Sequence, residues 1–193
     1  MATKKSKTKQ WFSIVAPKIF DEIDLGRTTA AEPNYLIGRK ITANAMNVIE
    51  GYDKYYVKLF FKISAVDGSK ALTEFNGSEL MREYISRMVL RRVKRIDLVQ
   101  DLATKDGVKV RVKSIAVASK KMSTDTKLDL AAMMREYMQE RVEASTFDDF
   151  VSDLLNEEIK MDVLQHARKI YPVRHFEIRK VEVKLASSEA KPQ

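Results

Sequence analysis

The sequence predicts an α+β protein: a curved, mostly antiparallel, barrel-like β-sheet with flanking helices and an acidic helical segment. Three observations carry that expectation. Residues 54–65 alternate apolar and polar side chains with the period of a half-buried strand. Two Asp-Gly pairs, Asp67-Gly68 and Asp106-Gly107, sit between strand-like runs and read as hairpin turns. Residues 124–169 then switch to helical spacing.

Taken in order, residues 1–10 show no apolar rhythm and read as a basic tail that orders only when bound. Trp11, Phe12, Ile14, Val15, Ile19 and Phe20 open the folded part, and Pro17 keeps that segment from being one long helix. A turn-rich stretch between Gly26 and Pro33 leads to strand character over 35–42. The run 54–65 turns at Asp67-Gly68 into a partner strand at 70–75. Ser78, after Asn76-Gly77, is placed to cap a helix with Leu80, Tyr84 and Met88 on its inner stripe. Strands are expected at 93–102 and after Asp106-Gly107. The apolar phase of the latter slips from Val108, Val110 and Val112 to Ile115 and Val117, which predicts a β-bulge near Lys113-Ser114. A similar slip separates Phe176 and Ile178 from Val181, Val183 and Leu185, and paired slips suggest a sheet curved enough to close. Between these strands lie three helices. Leu128, Ala131, Met134, Met138 and Val142 line the first. Thr146 caps the second, which carries Phe150, Val151 and Leu154. Ile159, Val163, Ala167 and Ile170 line a third that Pro172 closes. One globular domain over 11–186 and a polar tail over 187–193 complete the expected organisation.

A chain of 193 residues with 45% hydrophobic side chains has enough apolar material for a core, which excludes wholesale disorder. No uncharged apolar run reaches the roughly 18 to 20 residues needed to span a bilayer, and no apolar stretch follows the first lysines as a secretory signal requires. With Cys 0, disulfides, thiolate catalysis and cysteine-bound zinc are excluded, and a cytoplasmic location is expected.

The net charge of +8 is unevenly spread. Residues 1–128 carry a net +11, residues 129–162 a net −7 and residues 163–193 a net +4. This two-sidedness predicts one face for a polyanion and another for water or a basic partner. Lys4, Lys5, Lys7 and Lys9 crowd the approach to Trp11, and Arg82, Arg87, Arg91, Arg92, Lys94 and Arg95 fall around a single acid, Glu83. Cations held this close gain from counterion release on a phosphate backbone, and arginines add bidentate phosphate geometry. Along 54–62, Lys54, Lys58 and Lys62 interleave with Tyr56 and Phe60, as a single-stranded RNA surface would require. The opposing expectation is that Tyr56 and Phe60 pack beneath a helix.

No catalytic site emerges. His166, expected on a helix, and His175, expected on a strand, have no second ligand at metal spacing, so neither a metal nor a cofactor is expected. The six glycines are isolated and form no phosphate loop. Asp148, Asp149, Asp153, Glu157 and Glu158 are better read as a solvated helix face than as a divalent-cation site. Met133, Met134 and Met138 fit adaptable packing.

The run Trp11-Phe12-Ser13-Ile14-Val15-Ala16-Pro17-Lys18-Ile19-Phe20 resembles the opening of the small-subunit ribosomal protein S-three-a family of archaea and eukaryotes. Leu72-Thr73-Glu74-Phe75-Asn76-Gly77-Ser78-Glu79-Leu80 is similar to a second family segment. Thr104-Lys105-Asp106-Gly107, Lys120-Lys121 and Ile170-Tyr171-Pro172 leading to Arg179-Lys180-Val181 continue the likeness in order. The short tails look like the archaeal form. The resemblance implies a β-barrel-like core with flanking helices and no catalytic residues. It implies a structural role in translation on the platform of the small ribosomal subunit near the messenger-RNA exit. The implied partners are small-subunit ribosomal RNA, neighbouring ribosomal proteins and messenger RNA itself. Trp11, Lys120 and Lys121 join the basic residues above as expected RNA contacts. The competing readings are a free RNA- or DNA-binding protein, a magnesium-dependent RNA-processing enzyme and a peripheral membrane protein held by the tail.

Overall fold

The computed structural model describes residues 8–91, 93–118 and 120–184, and among these it contains eight strands and five α-helices. In chain order they are β1 (Gln10–Val15), β2 (Asp24–Ala30), β3 (Lys40–Asn44), α1 (Ala45–Val48), β4 (Val57–Asp67), β5 (Lys70–Leu80) and α2 (Arg82–Met88). Then follow β6 (Lys94–Ala103), β7 (Lys109–Ala118), α3 (Thr124–Ala144), α4 (Phe147–Leu155), α5 (Glu158–Ile170) and β8 (Val173–Lys184). The α+β class is as the sequence predicts. The barrel is not: the strands form an open, mixed sheet in which β2, β3 and β6 each border one strand, and β1 runs parallel to β5.

The chain divides into two compact units, residues 1–77 and 78–193. In the first, β1 pairs antiparallel with β2 and parallel with β5, and β3 pairs with β4. Alternation along β4 is as read from the sequence, with Val57, Leu59, Phe61 and Ile63 buried and Lys58, Phe60 and Lys62 facing the other way. Phe61 meets the Phe20 ring edge-on at 5.3 Å and Phe75 at 6.2 Å. Phe12, Ile14, Ala30 and Ala71, on the inner face of β1, β2 and β5, form a second cluster with Leu36 and with Ile63 of β4. Each fully buried large side chain here contributes about 2 kcal/mol. Two expectations shift. The strand expected over 35–42 begins only at Lys40, because Pro33 starts a 3-10 turn through Tyr35. β4 begins at Val57, so Lys54, Tyr55 and Tyr56 precede the strand.

β5 crosses the boundary between the units and does not stop at Asn76-Gly77. The strand runs on to Leu80, although its burial changes phase from Ala71, Thr73, Phe75 and Gly77 to Ser78 and Leu80, so Ser78 is buried in a strand and caps no helix, and α2 starts after Met81 without a side-chain cap. In the second unit β7 lies between β6 and β8. α3 packs on β6 and α5, and α5 on β8. Their shared core holds Leu98, Val112, Phe176 and Val181 from the sheet, with Met134, Met138, Phe150 and Val163 from the helices. Ser123 and Thr146 cap α3 and α4, their Oγ atoms accepting from Thr126 N and Asp149 N at 3.1 and 3.3 Å. On α3, Leu130 occupies the buried stripe in place of the expected Leu128, which is 63% exposed. At the end of α5, Ile170 is exposed as well.

The two predicted phase slips are one feature. β6 and β7 pair without interruption from Lys94↔Ala118 to Ala103↔Lys109. The irregularity lies in β8, where Lys180 pairs with Lys113 and Ile178 with Ser114, leaving Arg179 as the extra residue. A second shift skips Arg174 between His175↔Val117 and Val173↔Ala118. The sequence of β7 looked slipped because Ser114 through Ala118 are buried on both faces.

Candidate nucleic-acid interface

The register of the second unit gathers at one end cations that are far apart in sequence. β6 starts at Lys94 opposite Ala118, where β7 ends and Lys120 and Lys121 follow. β8 starts at the same level, Val173 pairing with Ala118, so Arg174 lies there too. The Tyr171 hydroxyl donates to the Lys121 carbonyl at 2.8 Å and ties in the last turn of α5, with Arg168 and Lys169. Arg91 precedes β6 by three residues. All eight of these cations, Arg95 included, are exposed. Arg95 is bound to Asp97 at 2.7 Å; the other seven have no ion-pair partner among the described residues. Arg168 and Lys169 also sit favourably on the negative end of the α5 dipole, so part of their placement serves the helix itself.

This basic end contrasts with the rest of the unit. α3, 21 residues or about 30 Å long, leads away from it and exposes Asp129, Glu136, Glu140 and Glu143. At its far end Phe147 N donates to Asp106 Oδ2 at 2.8 Å beside the exposed Asp148 and Asp149. Asp148, Asp149, Asp153, Glu157 and Glu158 are held by a hydroxyl or by cations, or are left in solvent. Thr146 Oγ1 donates to Asp149 at 2.6 Å, Arg141 holds Asp153 at 2.8 Å and Glu158 at 3.6 Å, and Lys160 holds Glu157 at 3.1 Å. Asp153 is therefore half-buried in an ion pair and not on a solvated face. Among the described residues no cluster of carboxylates or histidines is arranged around a metal position.

A second basic surface of this unit is self-neutralised. Arg111 donates twice to Asp101 at 2.7 Å, and Lys184 adds a third contact at 2.9 Å, so the Asp101 carboxyl is held well below the usual carboxylate range by these hydrogen bonds. Glu182 lies between Lys113 and Lys180, both at 3.1 Å, and Lys180 reaches Glu79 at 3.2 Å. Burial alone would raise Glu182, but the two lysines outweigh it and lower it. These cations face one another's acids across neighbouring strands and have little charge to offer a phosphate.

The remaining expected contacts are spread over other elements. Lys4, Lys5, Lys7 and Arg92 lie outside the described residues. Arg82 and Arg87 are exposed on α2. Lys54 lies 5.0 Å over the Tyr52 ring ahead of β4. Lys58 and Lys62 project from β4 opposite Asn44 and Lys40, and Phe60, opposite Thr42, is half-buried between them. Lys9 and Trp11 are exposed on and just before β1. Arg168, Lys169 and Arg174 were missed in the sequence because only strand register and the Tyr171–Lys121 contact bring them to the basic end.

A model of the Ribosomal S3Ae family matches residues 2–186. The chain belongs to the Ribosomal S3Ae family. Its S3Ae relatives include the small ribosomal subunit protein eS1 of Sulfurisphaera tokodaii, 37% identical over 179 residues, which is 93% of this chain and 93% of that protein. The proteins of the same name from Desulfurococcus amylolyticus and Methanopyrus kandleri are each 37% identical, covering 98% and 95% of this chain and 89% of theirs. The resemblance read from the ordered motifs is therefore borne out, and S3Ae proteins are ribosomal proteins of a structural kind. No helix among the described residues is long and apolar enough to cross a membrane.

Proposed function

We propose that this protein is a structural constituent of the small ribosomal subunit in translation, and that it binds ribosomal RNA through the basic end of its second unit. The observation that carries the RNA reading is the convergence of seven exposed, unpaired cations from the start of β6, the end of β7, the end of α5 and the start of β8. Such a cluster is unfavourable alone and gains when a phosphate backbone releases its counterions. Lys4, Lys5, Lys7, Lys9, Arg82, Arg87, Arg92, Lys54, Lys58 and Lys62 extend this basic set in the proposal. Family membership supports assembly into the subunit with ribosomal proteins as neighbours. A position on its platform near the messenger-RNA exit is part of what we propose. The acidic outer face of α3 would then meet solvent or a basic neighbour.

Sedimentation tests this. A cell extract run on a sucrose gradient should show the protein co-migrating in stoichiometric amount with the small subunit and staying there in moderate salt. A protein left at the top of the gradient would overturn the ribosomal assignment in favour of a free nucleic-acid-binding protein.

A further inference from the structure

Trp11 is the sole tryptophan of the chain and, among the described residues, the most exposed large apolar side chain, at 68%. It stands on β1, in a sheet, where an indole normally has a neighbour to pack against. Strand register fixes what surrounds it. Trp11 pairs with Thr29 of β2. Two residues along the same face, Ser13 pairs with Arg27 of β2 on one side and Lys70 of β5 on the other. Strand spacing puts the Arg27 and Lys70 backbones about 10 Å apart, across a serine too small to separate their side chains, with Trp11 about 7 Å along the strand. Lys9 precedes on the same face. Arg27, Lys70 and Lys9 are exposed, and none has an ion-pair partner among the described residues. The acids of this face, Asp24 opposite Val15 and Glu74 beyond Leu72, lie at its other end.

We infer that this face of β1, β2 and β5 binds single-stranded RNA, with an unpaired base stacked on Trp11 and the adjoining phosphate held between Arg27 and Lys70. The inference rests on the RNA-binding reading above and gives it a substrate class: unpaired bases here, besides phosphate backbone at the basic end. An exposed ring flanked by unpaired cations matches how sheet surfaces hold single strands, the ring taking a base face and the cations tracking the chain. A protein-docking face would also expose Trp11 and Leu72, but it does not call for two unpaired cations facing each other over Ser13.

The test uses tryptophan fluorescence, which reports on this face alone because no second tryptophan exists. The full chain is titrated with an oligoadenylate of about ten nucleotides and, separately, with a duplex of equal length. Binding is followed in parallel by anisotropy of labelled RNA. The single strand should quench Trp11 emission with the midpoint seen by anisotropy, and the duplex should bind without quenching. Trp11→Leu should weaken single-strand binding about tenfold, with duplex binding and thermal melting unchanged. Arg27→Gln with Lys70→Gln should reduce the slope of log affinity against log salt by about 1.4. Single-strand binding without quenching, and unaffected by Trp11→Leu, would overturn this inference and leave the RNA reading standing. Failure to bind either RNA would remove both.

Discussion

Lys160 Nζ lies 2.6 Å from Glu177 Oε1, joining α5 to β8 through a carboxylate that is only 6% exposed. The Tyr84 hydroxyl donates to the same oxygen at 3.0 Å, which brings in α2. Burial alone would lower the Lys160 ammonium, but Glu177 and Glu157 outweigh it and raise it. A buried pair of this kind adds little net stability over a hydrophobic pair, yet losing one partner strands the other. Glu177→Ala should therefore destabilise the protein by about 3 kcal/mol in urea unfolding. Replacing both partners, Lys160→Met with Glu177→Leu, should cost much less than the sum of the single changes.

The bulge in β8 makes an opposite pair of deletions informative. Phe176 and Ile178 point into the core, and beyond Arg179 so do Val181 and Val183, because one extra residue absorbs the change of phase. Deleting Arg179 keeps Ile178 opposite Ser114 and Lys180 opposite Lys113. It should lower stability by about 1 kcal/mol or less. Deleting Glu182 turns Val183 outward and Lys184 inward, and should shift the melting temperature far more. Equal losses from the two deletions would contradict the register.

These elements show what a sequence can and cannot display. The β4 alternation, the Asp-Gly turns and the Thr146 cap are written in adjacent residues, so local rules reach them. The bulge was legible as a change of phase but was placed in two strands, because burial on both faces of β7 mimics a slip. The end of β5 departs from the expected turn for a related reason: Asn76-Gly77-Ser78 has turn chemistry, while the pairing that keeps it extended is long-range. Charge clusters at Arg82–Arg95 and Lys120-Lys121 could be seen, but not that strand register joins the second to the start of β6. Nor does composition distinguish Lys120 from Lys180, although only the latter is bound to carboxylates.

That distinction gives a direct comparison between two lysine pairs. Lys120→Gln with Lys121→Gln should lower affinity for ribosomal RNA fragments and reduce the salt slope by up to about 1.8, leaving the melting temperature unchanged. Lys113→Gln with Lys180→Gln removes the same formal charge but acts on the Glu182 and Glu79 contacts. It should leave the salt slope nearly unaltered and lower stability modestly, by about 0.5–1 kcal/mol, since the pairs are partly exposed. If both double variants weakened RNA binding alike, the ion ladder would be part of the interface.

Stability should fall with acid in two separate stages. Burial, reinforced by Arg174, holds the His175 imidazole below its ordinary value of 6.5. As pH drops below 6.5, the unfolded chain takes up a proton that folded His175 refuses, so unfolding is favoured. Glu182 and Asp101, both lowered, act the same way from a lower starting point. Their contribution is complete above their ordinary values of 4.5 and 3.8, and is lost as pH falls through those values toward the folded ones. Urea midpoints between pH 7.5 and 3 should therefore show a shallow decline near 6 and a second decline below about 4.5. His175→Gln should flatten only the upper stage and Asp101→Asn only the lower. Asp101 is solvent-exposed, so added salt should shrink the lower stage more than the upper. A lower stage unaffected by Asp101→Asn would mean that the Arg111 and Lys184 contacts do not persist in solution.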